Sequence, residues 1–320
     1  MDGHDALVDV AGGQFGGAAR WRAELQQYLS HRSRPVRLIG NGHRLTGRWL
    51  LRRERLARGA SLVFATNNVS FGLAGRQRRV LLHNALHFLY PHEANALAKM
   101  PAGWSAQIPI VRHMAQRADQ VVVPCSAMAE RVLFHLPALR NRMAVYPHPI
   151  TPVGPRVEST GAFILAPVVP GRYKNLFPQL RMLTTVLRHA GQPFRVRVTA
   201  APTALPADLA ADERVEAVGI VPHSRLAQLW RSAHAAFFPS TLEAFGFPLA
   251  EARVYGVPVL APLSDQAREL AGSALRGYDP DVPATLAEAI DRIAEPVVPE
   301  PDAFNRERYF DRLLADGPAV

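Results

Sequence analysis

The sequence predicts an α/β protein in two halves, each a parallel sheet with helices on its faces. Three observations lead there. The 320 residues exceed the size at which one hydrophobic core keeps growing, so two domains of roughly 150 residues each are expected. Short apolar runs alternate with helix-period or polar segments, the pattern of parallel strands joined by helical crossovers. Finally, Pro147 to Pro155 reads PHPITPVGP, with four prolines and no periodicity, and the alternation restarts after it. That break reads as an extended linker, giving domains at 1–150 and 151–320 with a cleft between them suited to a large ligand.

In order along the chain, Ala6 to Ala11 is a short buried strand, Gly12 to Gly17 a glycine-rich loop, and Ala18 to Leu29 a helix. Strands are expected at Val36 to Ile39, Ser61 to Ala65, Val80 to Leu82 and Gln120 to Val123. Ser126 follows the last of these as the N-cap of a helix from Ala127 to Phe134. Past the linker come a strand at 162–166, a helix at 176–190, strands at 195–199 and 215–218, and a helix at 224–233. A strand at 235–238, a helix around 248–254 and a strand at 257–261 complete the pattern. No internal repeat or low-complexity tract interrupts it.

Composition narrows the class. With 48% hydrophobic residues the chain can bury a large core, and no apolar run approaches the ~20 residues of a membrane-spanning helix. The start, Met-Asp-Gly-His-Asp, lacks the basic flank and apolar stretch of a secretion signal, so a cytoplasmic protein is expected. One cysteine, Cys125, excludes an internal disulfide and a thiolate metal cage, and reads as a small core hydrophobe at a strand end. The net charge is +10, and its distribution is lopsided. Residues 1–150 hold 20 Arg and Lys against 8 Asp and Glu, whereas 151–320 hold 17 against 19. The basic excess therefore belongs to the first half. It concentrates in Arg44 to Arg58 (RLTGRWLLRRERLAR) and in Arg76, Arg78 and Arg79. One reading is a surface helix with Trp49 and Leu56 in the core and a solvated basic face. The other is a surface that docks on anionic lipid or on the phosphate of a lipid-linked acceptor.

The stretch that carries chemistry is Phe238 to Ala261, FPSTLEAFGFPLAEARVYGVPVLA. A strand ends, Pro239-Ser240-Thr241 turn, Glu243 follows, and Ala244-Phe245-Gly246-Phe247 open a helix bearing Glu251. Backbone N–H groups at that helix start, approachable because of Gly246, suit a phosphate. Exposed carboxylates on either side cannot bind phosphate but can accept hydrogen bonds from sugar hydroxyls. A nucleotide sugar carries both chemistries.

In these residues the chain resembles the retaining GT-B glycosyltransferases of family 4, whose signature places two glutamates seven residues apart, as Glu243 and Glu251 stand here. Pro239, Ser240, Phe245, Gly246, Pro248, Ala252, Gly256, Pro258 and Val259 fit around them. The resemblance extends to GRYKN (Gly171 to Asn175), to Val218 to Ser240, and to ARELAGSALRGYDP with Glu269. It covers nearly all of the second half. In the shorter first half it rests on Gly16-Gly17 opening the first helix, on VLLHNALHF (Val80 to Phe88), and on VVVPCSAMAERV (Val121 to Val132).

The resemblance implies two Rossmann-like domains facing each other across a cleft, with a last helix that crosses back to the first. It implies that Glu251 holds the ribose hydroxyls, that Glu243 faces the donor sugar, and that Arg172 and Lys174 neutralise the diphosphate as its charge grows. Gly16, Gly17, Ala244, Phe245 and Gly246 would line the donor site. Arg172 and Lys174 are only two apart, closer than in the family, so Lys174 is the firmer assignment. His83, ending a strand, would contact the sugar near the reacting carbon, with His87, His92 and His113 as alternative counterparts.

Other signals are declined. Asp279-Pro280-Asp281 imitates a metal-binding motif but sits in a proline-bounded loop, so no essential metal is expected. The twelve histidines show no i, i+4 pair with a carboxylate partner in a clear helix. The glycines at 12, 13, 16 and 17 are not a GxGxxG fingerprint, which argues against a dinucleotide cofactor. The expected function is transfer of a sugar from a nucleoside diphosphate to an acceptor, with retention. A catalytically silent sugar-nucleotide-binding subunit is the alternative, and intact Glu243, Glu251 and Lys174 argue against it. The basic first half lacks a nucleic-acid-binding motif. Donor base, donor sugar and acceptor are not legible.

Overall fold

The computed structural model describes residues 6–13, 16–31, 36–157, 161–167, 171 and 174–315. The chain forms two compact units, one of Met1–Pro149 with Asn305–Val320 and one of Ile150–Phe304.

The first unit is built on six parallel strands, β1 (Ala6–Asp9), β2 (Val36–Ile39), β3 (Leu62–Ala65), β4 (Gln77–Leu81), β5 (Gln120–Val123) and β6 (Met143–Val145), in the order β2-β1-β3-β4-β5-β6. Helices α1 (Gly16–Ser30), α2 (Gly47–Leu56), α3 (Asn95–Ala98), α4 (Gln107–Ala115) and α5 (Ser126–His135) accompany it. Strands β1 and β3 are buried along their whole length, so they read as apolar runs, with Asp9 at the end of β1 the one charged residue. Strand β2 lies at the edge and tolerates Arg37. Three-residue β6 is too short to leave a periodic signal. Order β2-β1-β3 means that the winding direction reverses between β1 and β3, and the loops leaving their carboxyl ends open the crevice where such sheets bind ligands.

Two expectations change here. Cys125, not Ser126, occupies the N-cap position of α5, and Ser126 is its first helical residue. On α2, Leu56 is 40% exposed while Arg53 is wholly buried. Arg53 follows Trp49 by one turn, so both project from the same face, and that face meets the Asp9 carboxylate, which neutralises the guanidinium at 2.8 Å. Arg79 is likewise withdrawn from the basic surface: it is buried and donates to the Leu313 carbonyl at 2.6 Å. Arg78 pairs with Asp119.

The second unit repeats the plan with β7 (Phe163–Ala166), β8 (Arg195–Val198), β9 (Val215–Ala217), β10 (Ala235–Phe237), β11 (Val259–Pro262) and β12 (Leu275–Tyr278), in the order β12-β11-β10-β7-β8-β9. All of its neighbouring strands are parallel. Its helices are α6 (Leu176–His189), α7 (Ala207–Ala210), α8 (His223–Ser232), α9 (Phe247–Tyr255), α10 (Asp265–Ala271) and α11 (Pro283–Asp291). Here the reversal falls between β7 and β10.

The last helix, α12 (Arg306–Leu313), belongs to the first unit. Phe310 packs edge-on against Trp21, with ring centroids 5.4 Å apart, and at a tilt against Tyr28, at 5.0 Å. Trp21 Nε1 donates to the Tyr309 hydroxyl at 2.8 Å, and Arg306 donates to Glu24 at 2.7 Å. These contacts complete the apolar cluster of Val8, Leu25, Phe64, Leu81 and Val122.

Candidate functional site

In the second unit, the loop after β7 carries Lys174 and the loop after β10 carries Glu243. Because β7 and β10 are neighbours at the reversal, their loops emerge side by side. Lys174 Nζ donates to Glu243 Oε1 at 2.8 Å, with both side chains about one-fifth exposed (22% and 19%). Asn175 immediately after Lys174 adopts a left-handed conformation, φ +50°, as the N-cap of α6. Arg172 lies outside the described residues.

The second loop is fixed by its own contacts. Gln266 Nε2 on α10 donates to the carbonyls of Glu243 at 3.3 Å and Phe245 at 3.2 Å. Ala244 and Phe245 are buried, and Gly246 stands at φ +81° as the N-cap of α9. A side chain at Gly246 would be strained in that conformation and would also press on Leu249 at 3.1 Å. The helix start offers fewer donors than the sequence suggests, because Pro248, its second residue, has no N–H and the Leu249 N–H already donates to the Gly246 carbonyl at 2.9 Å. Glu251 corrects an expectation: it is not exposed but only 2% accessible, because α9 is covered on nearly all sides. An apolar helix from Pro248 to Tyr255 packs as a core element and takes its glutamate with it.

In the first unit, Gly16 opens α1 at φ +63°, and a Cβ placed there would meet nothing within 4 Å, so this turn leaves backbone open to approach. Gly17 follows within the helix. His83 lies just past β4, next to the loop leaving β3. Its backbone N–H donates to Asn68 Oδ1 at 2.8 Å, and its ring bonds the Thr66 backbone. Burial lowers the His83 pKa to about 4, partly opposed by that bond. His148 stands edge-on to it with centroids 5.8 Å apart, and burial also pushes His148 well below the ordinary range. Of the alternatives, His87 is buried and stacked on Trp104, while His92 and His113 are exposed.

Sequence reasoning missed Gln266, Asn68, Arg53 and His148. For Asn68 a signal existed, since an Asn doublet after a strand favours left-handed turns. The other three depend on contacts no local pattern announces. Asp279 and Asp281 are exposed, and Asp279 Oδ1 accepts the Asp281 N–H. Among the described residues no three His, Cys, Asp or Glu side chains gather as a metal site would require. Among them, too, no helix is long and apolar enough to cross a membrane.

The two-unit α/β architecture is that of the GT-B glycosyltransferases. Residues 204–305, which include the Glu243 loop and all of α9, match the family described as Glycosyl transferases group 1. Sucrose-phosphate synthase from Thermosynechococcus elongatus is similar over 95% of this chain and 91% of its own, with a TM-score of 0.64 and 17% identity. WaaG, a glycosyltransferase involved in lipopolysaccharide biosynthesis, matches over 90% of each chain with a TM-score of 0.65 and 13% identity. Anabaena HepE in complex with UDP and glucose matches over 91% and 90%, with a TM-score of 0.60 and 13% identity. At such identities the likeness is one of fold. No curated protein matches the chain in sequence.

Proposed function

We propose that this chain is a retaining glycosyltransferase of family 4, moving a sugar from a nucleoside diphosphate to an acceptor. The observation that carries the reading is the Lys174–Glu243 pair at 2.8 Å, set beside the start of α9. An ammonium and a carboxylate in one place match the anionic diphosphate and the hydroxyl-bearing sugar of the donor's reacting end. Lys174 and Arg172 stabilise the departing diphosphate, which bears more charge in the transition state than in the ground state. Glu243 accepts hydrogen bonds from the sugar, while the ribose contact that the resemblance gives Glu251 requires the donor to reach a carboxylate that is buried in this structure. In the first unit, the resemblance assigns to the donor sugar His83, neutral at physiological pH, and the open backbone of Gly16 and Gly17. On this reading the diphosphate charge is met by basic side chains, and no essential metal is required.

The acceptor side is coarser. Five arginines in and beside α2 (Arg44, Arg48, Arg52, Arg55 and Arg58) are exposed together with Leu51 at 73%. An exposed leucine among cations suits peripheral contact with an anionic membrane on its cytoplasmic face, where a lipid-linked acceptor would be met.

A thermal-shift panel of UDP, GDP, ADP and dTDP tests the reading. One nucleotide should raise the unfolding midpoint, since a ligand at 100 times its dissociation constant stabilises by ~2.7 kcal/mol. The corresponding nucleotide sugar should then release that diphosphate under turnover. No shift with any of the four would overturn the proposal, and binding without turnover would point to a silent subunit instead.

A further inference from the structure

Among the described residues only two that are not glycine hold a left-handed backbone, Asn68 at φ +66° and Asn175 at φ +50°. Such conformations are disfavoured for residues with a Cβ and persist where the surroundings impose them. Both adjoin residues of the proposed site. Asn175 follows Lys174, and Asn68 accepts the His83 N–H through Oδ1 at 2.8 Å.

The surroundings that impose the Asn68 turn are visible. On its amino-terminal side, Thr66 donates to the Asp9 carbonyl through its N–H at 3.1 Å and its hydroxyl at 3.0 Å. Asn67 Nδ2 donates to Asp9 Oδ2 at 2.9 Å. On its carboxyl-terminal side, the buried Arg53 fork donates to the carbonyls of Val69 at 2.8 Å and Ser70 at 2.5 Å. The same guanidinium reaches Asp9 Oδ2 at 2.8 Å, whose partner oxygen accepts from Trp49 Nε1 at 3.2 Å. Residues 67, 69 and 70 are therefore pinned to one ion pair and residue 66 to the main-chain carbonyl of the same Asp9, so residue 68 is held from both sides.

Stability alone does not call for this arrangement. An apolar pair of similar volume would hold a core as well as a buried Arg–Asp pair does. What the ion pair adds is direction, because the planar guanidinium holds Asp9 through Nη1 and both carbonyls through Nη2.

We propose that Asn68, locked in its left-handed turn by Asp9 and Arg53, is a positioning residue that sets the place of His83. This rests on the reading of His83 as a group that meets the donor sugar. Asn68 need not touch the donor itself. It acts by fixing where the His83 main chain, and with it the ring, stands relative to Thr66.

The test uses the whole chain and the nucleotide sugar identified by the nucleotide panel. Asn68→Gly keeps the left-handed backbone and deletes the Oδ1 acceptor, while Asn68→Asp keeps both. Asn68→Gly should lower kcat ~10-fold or more with the donor KM unchanged, as small misplacements of a reacting group do. It should also move the His83 ring resonance in a histidine-labelled NMR spectrum. Asn68→Asp should restore most of the rate, and in a His83→Ala background Asn68→Gly should cost nothing further. Arg53→Lys, which retains the charge but loses the fork, should act in the same direction and serves if Asn68→Gly fails to fold. Wild-type kcat with an unmoved His83 resonance in Asn68→Gly would overturn the proposal, as would an equal loss in the His83→Ala background. If His83→Ala itself turns over normally, the reading of His83 fails and the proposal with it. If His83→Ala is inactive while Asn68→Gly is normal, the proposal alone fails.

Discussion

Lys174 and Glu243 are 69 residues apart in the chain and 2.8 Å apart in the fold. Each is held by a loop leaving one of the two strands that flank the reversal of the second sheet. The pairing has a consequence for binding: a diphosphate that reaches Lys174 competes with a carboxylate already there.

Glu243→Gln removes that competitor while leaving the shape of the side chain. Bare nucleoside diphosphate should then bind at least as tightly as to the wild type, and up to about fivefold tighter, the scale of a partly exposed ion pair. Turnover should fall, since Glu243 meets the sugar and not the nucleotide. Calorimetry with the cognate nucleotide decides the first point, and clearly weaker binding would assign Glu243 to the nucleotide instead.

Lys174→Ala should weaken nucleoside diphosphate binding by roughly 1.5 to 3 kcal/mol, or about 10- to 100-fold, the range for a hydrogen bond to a charged group. An unchanged dissociation constant would remove Lys174 from the site.

Acid should destabilise the first unit in a defined window. Burial holds His83 and His87 at about 4, and His148 well below the ordinary value. In the unfolded chain all three take up protons near pH 6.5. The folded state therefore binds fewer protons between pH 6.5 and 4, and its stability is present above that window and lost on descending through it. Each such group adds at most ~1.4 kcal/mol per pH unit to the slope. Urea midpoints taken from pH 7.5 to 5 should fall, and His148→Asn should flatten the fall. A slope unaltered by that substitution would show that His148 protonates freely in the folded protein.

Phe310→Ala should cost 3 to 5 kcal/mol of the first unit's stability, the typical figure for a fully buried aromatic, because Phe310 lies between Trp21 and Tyr28. Chemical denaturation followed by tryptophan fluorescence, in a chain where Trp49, Trp104 and Trp230 are replaced by Phe so that only Trp21 reports, reads this directly. A loss below ~1 kcal/mol would mean that α12 is dispensable to the core.

Vesicles containing acidic lipid should sediment the protein at low salt and release it at ~0.5 M salt, where the Debye length is only a few ångströms. Arg48→Glu with Arg52→Glu should abolish sedimentation, and neutral vesicles should not bind. Failure to bind acidic vesicles at low salt would remove the membrane contact and point to an acceptor free in solution.

What the sequence determined by itself is local or periodic. Alternating apolar runs disclosed the two parallel sheets, because a strand buried on both faces must be apolar throughout, as in Leu62–Ala65. The spacing of Glu243 and Glu251 around Gly246 disclosed the start of α9, because a glycine in a left-handed cap leaves its mark at one position. What only the tertiary structure decided is which charges meet. Arg53 and Arg55 are indistinguishable in the pattern of α2, yet one is buried against Asp9 and the other is exposed. The burial of Glu251, the seat of Lys174 beside Glu243, and the hold of Asn68 on His83 likewise follow from strand order. A charge can be buried only where a partner waits, and the partner is brought there by sheet pairing between segments far apart in the chain.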